Sequence, residues 1–183
     1  MIYYCFDENA ERNAKREHLN AHALLALALN EHGIADYIIK KMKGGKPYIE
    51  NCPYFFSLTH TDGFCAVAIS EEEVGIDAEH LDRSINEKML ERICSENELA
   101  GISANDDAIR LWTLKEAAAK LTGRGIAQML EGIGFDMNTL YSDDAKCYGE
   151  VYEAENIIIA ACAKNPPRHE LKRIEYADLQ RFL

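Results

Sequence analysis

Long apolar runs are missing from this chain. Segments such as ALLALAL (23–29) and IIIAACA (157–163) have the length of core elements, well short of a membrane span. No membrane partner is expected. The opening residues, MIYYCFDENAERN, lack the basic stretch, the apolar stretch and the small-residue cleavage site of an export signal, so the expected location is the cytoplasm. Cysteine pairs are missing too. Cys5, Cys52, Cys65, Cys94, Cys147 and Cys162 are scattered, with no Cys-x-x-Cys pair, and the six histidines do not join them at ligand spacing. Disulfides and a structural zinc are therefore not expected. Positive charge is scarce: 20 Lys and Arg stand against 31 Asp and Glu, a net charge of −11. Such a chain repels the phosphates of DNA and RNA, so no nucleic-acid partner is expected. Any smaller anionic partner must be received on a local basic patch or through a metal ion. Tryptophan occurs once, as Trp112, and reads as a core anchor with no direct chemistry.

What is present reads as a folded α/β chain. Its 183 residues, 48% hydrophobic and 28% charged, are enough for one sizeable domain or two small packed halves. IYYCF opens as a strand. Residues 10–31 read as a helix stopped by Gly33. ADYIIKK (35–41) reads as a strand, and KMKGGKP follows as a basic, glycine-containing loop ending in Pro47. YFFSLTH and FCAVAIS flank Thr61-Asp62-Gly63, a hairpin signal. After the strand EVGIDAE the pattern turns helical. Ser84 with Glu87, and Ser95 with Glu98, have capping-box spacing. Asn105 stands where it could cap a long helix through Leu121, closed by Gly123. Strands return near 133–138, 147–153 and 156–163. The expected organisation is two halves of similar layout, 1–73 and 74–183, forming one compact unit with no linker between them and implying a monomer.

Four places carry candidate chemistry. In VGIDAEH (74–80) a strand would point Asp77 and Glu79 to one side and Val74 and Ile76 to the other. Two like charges that close repel unless a cation lies between them; the plainer reading is the solvated face of an edge strand. In GGKP (44–47), Lys46 on a glycine loop can meet a phosphate, although a lysine in a turn is usually just solvated. In SLTHTDG (57–63), Thr59 and His60 could donate to phosphate oxygens or could satisfy the turn's own backbone. In LWTLKEAAAKLTGRG (111–125), Glu116 and Lys120 share a helix face at i and i+4, with Lys115 beside them. A surface ion pair explains the two charges; it explains less well the small residues Ala117–Ala119 between them, which let another element approach closely. Together these side chains describe phosphoryl chemistry. Carboxylates suit Mg²⁺, a lysine steadies the leaving group, and a basic loop receives the remaining phosphate charge.

The series GKP, SLTHTDG, VGIDAE and LWTLKEAAAKLTGRG resembles the 4′-phosphopantetheinyl transferases of the surfactin-synthetase-activating type. All four motifs stand in that family's order, across residues 44–125, and the closing IEYADL is similar to its tail strand. The resemblance implies a fold of two similar α/β halves related by a pseudo-twofold. It implies that coenzyme A binds between the halves and that its phosphopantetheine arm moves to a serine of an apo acyl or peptidyl carrier protein, with release of adenosine 3′,5′-bisphosphate. By residue it implies Asp77, Glu79 and Glu116 as metal ligands, Glu116 also activating the serine, and Lys120 stabilising the leaving phosphate. Lys46, Pro47, Thr59 and His60 are implied at the nucleotide portion of coenzyme A. The metal is expected to be Mg²⁺; Mn²⁺ stays open, since oxygen ligands do not separate the two. The family's serine is Thr59 here, and its arginine on the N-terminal helix is Ala23, beside His22. A carrier-docking surface is expected around Arg83, Met89, Leu90 and Ile93, unless these only pack a helix on the core. The alternatives are a non-catalytic descendant acting as a binding module, and a metal-dependent phosphohydrolase using the same carboxylates.

Overall fold

The structure is a computed structural model that describes residues 1–7 and 13–183. In chain order its elements are β1 (Ile2–Phe6), α1 (Ala14–Glu31), β2 (Ile39–Lys41), β3 (Pro47–Ile49), β4 (Phe55–Thr61), β5 (Phe64–Ser70) and β6 (Val74–His80). There follow α2 (Glu87–Ile93), α3 (Glu96–Gly101), α4 (Asn105–Thr122), α5 (Ile126–Gly132), β7 (Tyr141–Ser142), β8 (Cys147–Ala154), β9 (Ile157–Ala163), β10 (Leu171–Arg173) and α6 (Tyr176–Leu179). This is the mixed α/β architecture expected. Among the described residues no helix is long and apolar enough to cross a membrane. The chain forms two compact units, Met1–Val74 with His169–Leu183, and Gly75–Arg168.

The first unit is a sheet in the order β10-β1-β5-β4 with α1 against it. The β4–β5 hairpin closes at Asp62-Gly63, and Gly63 takes the positive φ of 66° that favours glycine. Helix α1 starts on the Asn13 side chain, which accepts from the Lys15 and Arg16 amides. It ends as expected before Gly33, whose φ is 77°. The expected start at residue 10 lies outside the described residues. Leu24, Leu25, Ala28 and Leu29 of α1 meet Cys5, Phe56, Val67 and Ile69 of the sheet in one core.

Two expectations change in this unit. The strand read over 35–41 shrinks to β2, which pairs only with β3; the basic loop is the turn of that small hairpin. Ile39 and Ile49 reach the core, whereas Ile38 is 60% exposed, although its carbonyl still accepts from the Glu50 amide at 3.0 Å. The tail, which chain order assigned to the second half, joins this unit: β10 pairs in parallel with β1. The supposed strand IEYADL is instead Ile174 followed by the helical turn α6, with Ile174 and Leu179 buried in the core.

The second unit is the sheet β6-β9-β8-β7 with α4 packed on it. Gly75 explains how closely the two approach. A Cβ there would lie 2.1 Å from the Ala117 carbonyl oxygen and 2.4 Å from the Leu121 nitrogen, so strand backbone rests directly on helix backbone. The small residues Ala117, Ala118 and Ala119 are all fully buried, as that approach requires. The Ser95–Glu98 capping box forms in both directions, with Ser95 N–H donating to Glu98 at 2.7 Å and Glu98 N–H to Ser95 Oγ at 3.3 Å. The Ser84 box does not form, because Asn86 caps α2 instead. Asn105 is the first residue of α4, not its cap; Asp107 accepts from the Ser103 and Ala104 amides, and the Asn105 amide group donates to the carbonyls of Leu81 and Arg83. Gly123 closes α4 with a φ of 71°. The strand expected at 133–138 is absent. Ile133 and Phe135 are buried as core plugs, and only Asp136 makes a single bridge to Tyr141. Helix α5 was not anticipated.

Candidate functional site

Strand β6 and helix α4 bring the expected acids and lysine together. Asp77 and Glu79 sit two residues apart on β6, and each side chain is nearly buried. Neither acid is left to repel the other alone. Lys120 Nζ donates to Asp77 Oδ1 at 2.7 Å, joining α4 to β6. Arg83 pairs with Glu79 and lays its guanidinium over the Trp112 ring, 5.6 Å from the centroid. Trp112 itself is 7% exposed and anchors the core as expected. Glu116 completes the group. Its carboxyl is pushed above the ordinary value, first by burial, then by the negative charge of Asp77, with Lys120 opposing and Glu79 adding to the rise. Three carboxylates and two cations therefore share one electrostatic neighbourhood.

The donor chemistry fits a hard divalent cation, because the acids offer only oxygen. The positions do not yet converge. Among the described residues no group of three or more His, Cys, Asp or Glu stands ready to hold a metal ion. Lys120 and Arg83 draw Asp77 and Glu79 onto themselves, and metal entry would require those cations to yield.

Sequence reasoning missed the support beneath this cluster. Lys115, expected beside Glu116 and Lys120, is wholly buried. Its ammonium donates to the Ile93 carbonyl at 2.7 Å, to Glu98 Oε2 at 3.0 Å and to the Ile133 carbonyl. Glu98 also accepts from Ser95 and from the Phe135 amide at 2.9 Å. One ion pair thus ties α4 to the ends of α2 and α3 and to the segment after α5. The Ser95–Glu98 spacing was the available signal, but it identified a cap and not the buried partner of a lysine. The expected docking surface is corrected by the same packing. Leu90 and Ile93 are 8% and 3% exposed, so the apolar side of α2 belongs to the core.

On the first unit the residues expected at the nucleotide are more dispersed. Lys46 and Pro47 stand where the small hairpin turns, with the Lys46 carbonyl accepting from the Met42 amide at 2.9 Å. Thr59 and His60 are neighbours on β4 and so point to opposite faces. Thr59 is buried. His60 lies on the face carrying α1, with Nδ1 3.5 Å from Glu17 Oε2. Ala23 is 4% exposed and faces the core.

The model of the 4′-phosphopantetheinyl transferase superfamily matches residues 73–161, which contain both β6 and α4. The chain is 28% identical over 165 residues to the 4′-phosphopantetheinyl transferase psf-1 of Bacillus pumilus, covering 81% of this chain and 68% of that protein. It is 28% identical over 128 residues to the 4′-phosphopantetheinyl transferase gsp of Aneurinibacillus migulanus, covering 64% and 53%. It is 25% identical over 151 residues to the 4′-phosphopantetheinyl transferase Sfp of Bacillus subtilis (strain 168), covering 74% and 67%. The chain spans about half to two thirds of the length of these relatives.

Proposed function

We propose, on the premise that residues 73–161 match the 4′-phosphopantetheinyl transferase superfamily, that the chain moves the phosphopantetheine arm of coenzyme A to a serine of an apo carrier protein. The observation that carries the reading is the meeting of Asp77, Glu116 and Lys120 between β6 and α4 inside the matched segment. Asp77, Glu79 and Glu116 would hold a divalent cation, Mg²⁺ by donor type, with Mn²⁺ open. When bound, that ion neutralises charge on a pyrophosphate. Glu116, whose carboxyl is held above its ordinary value by burial and by Asp77, accepts the proton of the serine hydroxyl at a carboxylate oxygen. The serine oxygen forms the new bond to phosphorus as the bond to the departing nucleotide phosphate breaks. Lys120 Nζ, released from Asp77, donates to the leaving phosphate oxygen. Lys46, Pro47, Thr59 and His60 are proposed at the nucleotide end, with burial making Thr59 the weakest of the four. Mass spectrometry of candidate apo carriers incubated with coenzyme A and Mg²⁺ tests this: the arm appears on serine with the native protein and not with Asp77→Ala. Normal coenzyme A binding with no labelled carrier would sink the catalytic claim.

One observation favours a second reading, a non-catalytic binding module. Two of the three acids are engaged by protein cations, and among the described residues no three-ligand cluster stands ready. Calorimetry with coenzyme A and Mg²⁺ separates the readings, because binding without transfer to any carrier supports the module.

A further inference from the structure

Arg83 is held at three points beside the acids of β6. Its backbone is fixed first. The Arg83 N–H donates to the His80 carbonyl at 3.2 Å, and the Asn105 amide group at the start of α4 donates to the Arg83 carbonyl at 2.9 Å. Its guanidinium then lies 5.6 Å from the ring centroid of Trp112, the chain's one tryptophan. The same guanidinium pairs with Glu79, four residues back. Arg83 has no part in the reaction described above. Its side chain is about half open to solvent, whereas that of Glu79 is nearly covered. The pair can therefore break by movement of Arg83 alone.

Glu79 answers to two cations. One is Arg83; the other is the divalent ion of the transferase reading, on which this inference rests. While Arg83 holds Glu79 and Lys120 holds Asp77, no group of three acids converges among the described residues. A carboxylate turned to a guanidinium is not turned to a shared ion, and a fixed positive charge beside the site repels a second one. We propose that Arg83 is a positioning residue that competes with the divalent ion for Glu79, so that it lowers metal affinity and its displacement is felt by Trp112. The Asn105 tether keeps the guanidinium near enough to return to Glu79. Arg83 thus relieves the repulsion between the acids and sets the concentration of metal needed to replace it.

The test uses the whole chain and two bare ions. Mg²⁺, which is spectrally silent, is titrated against the emission of Trp112. Mn²⁺ affinity is read from the electron-spin resonance of the free ion. In the native protein Mg²⁺ should change the emission saturably. Arg83→Gln should bind Mn²⁺ about threefold tighter or more, the worth of an exposed ion pair that no longer has to break. Its emission should no longer follow Mg²⁺. Arg83→Lys, which keeps the charge without the stacking fork, should return the affinity toward native. Equal or weaker Mn²⁺ binding by Arg83→Gln overturns the competition. So does a native emission response in that variant, or Mg²⁺ binding that leaves native emission unchanged. Carrier labelling by a native protein whose Arg83→Gln form binds Mn²⁺ no tighter sinks this inference and leaves the transferase reading standing. No Mn²⁺ bound by either form at millimolar concentration sinks both.

Discussion

The two units use the same device and fill it differently. Each lays an 18-residue helix on a four-stranded sheet. In the first, α1 meets the sheet through Leu24, Leu25, Ala28 and Leu29, and its buried polar contact, Asn20 with Asp7, stays toward the helix start. In the second, α4 buries Lys115 in mid-helix against Glu98 and holds Glu116 and Lys120 toward the acids of β6. Burying an ion pair is a poor route to stability, since desolvation offsets most of the attraction. It is a good route to a single geometry when every proton and lone pair finds a partner. The difference teaches that the unit carrying the candidate chemistry spends polar burial on position, whereas the other relies on apolar packing.

The largest expected effect separates activity from stability in the second unit. Glu116→Gln should lower transfer by about 10²- to 10⁴-fold, the range of a positioned acid–base group, in single-turnover assays. The same variant should melt at a higher temperature in metal-free buffer with EDTA. The folded-state carboxyl is raised, so the native state keeps its proton to higher pH than the unfolded chain. Wild-type stability is therefore fullest below the unfolded value and falls as pH climbs through the folded one, and glutamine removes that fall. A variant that melts lower at neutral pH would show that Glu116 bears no burial penalty.

Next in size is the buried pair. Glu98→Leu leaves Lys115 charged and without its counter-ion and should cost about 3–5 kcal/mol in urea unfolding, whereas adding Lys115→Met recovers a large part of it. A double variant no more stable than the single would mean the pair is not coupled. The matching change in the first unit is Leu25→Ala, a fully buried side chain whose loss leaves a cavity worth about 2–5 kcal/mol. No second substitution of polarity should rescue it, and that contrast sharpens the difference between the cores. The smallest effect is expected from Ser95→Ala, about 1 kcal/mol for one lost cap, with the Glu98–Lys115 contact retained. A loss several times larger would make Ser95 a full member of the buried network.

Features governed by neighbours in the chain were legible beforehand. Gly33 and Gly123 end helices because the left-handed turn there favours glycine, and Asp62-Gly63 turns a hairpin for the same reason. The acid pair on VGIDAEH and the Glu116–Lys120 spacing were legible because strand and helix periods decide which side chains share a face. Ser84 and Asn105 misled because several polar residues near each helix start could serve, and the choice depended on what the others reached; Asn105 reaches the carbonyls of Leu81 and Arg83. Leu90 and Ile93 were offered as a docking face because an amphipathic stripe looks the same whether a partner or the protein's own core covers it.

From the order of residues alone came the α/β class, the motif series and the set of acids and lysine that chemistry would use, since local periodicity and turn sterics act over a few residues. Only folding in three dimensions paired Lys120 with Asp77, buried Lys115 on Glu98, returned the tail to β1 and seated Arg83 over Trp112. Those outcomes depend on which distant surfaces exclude water from one another, and desolvation sets the energy of every charge they enclose.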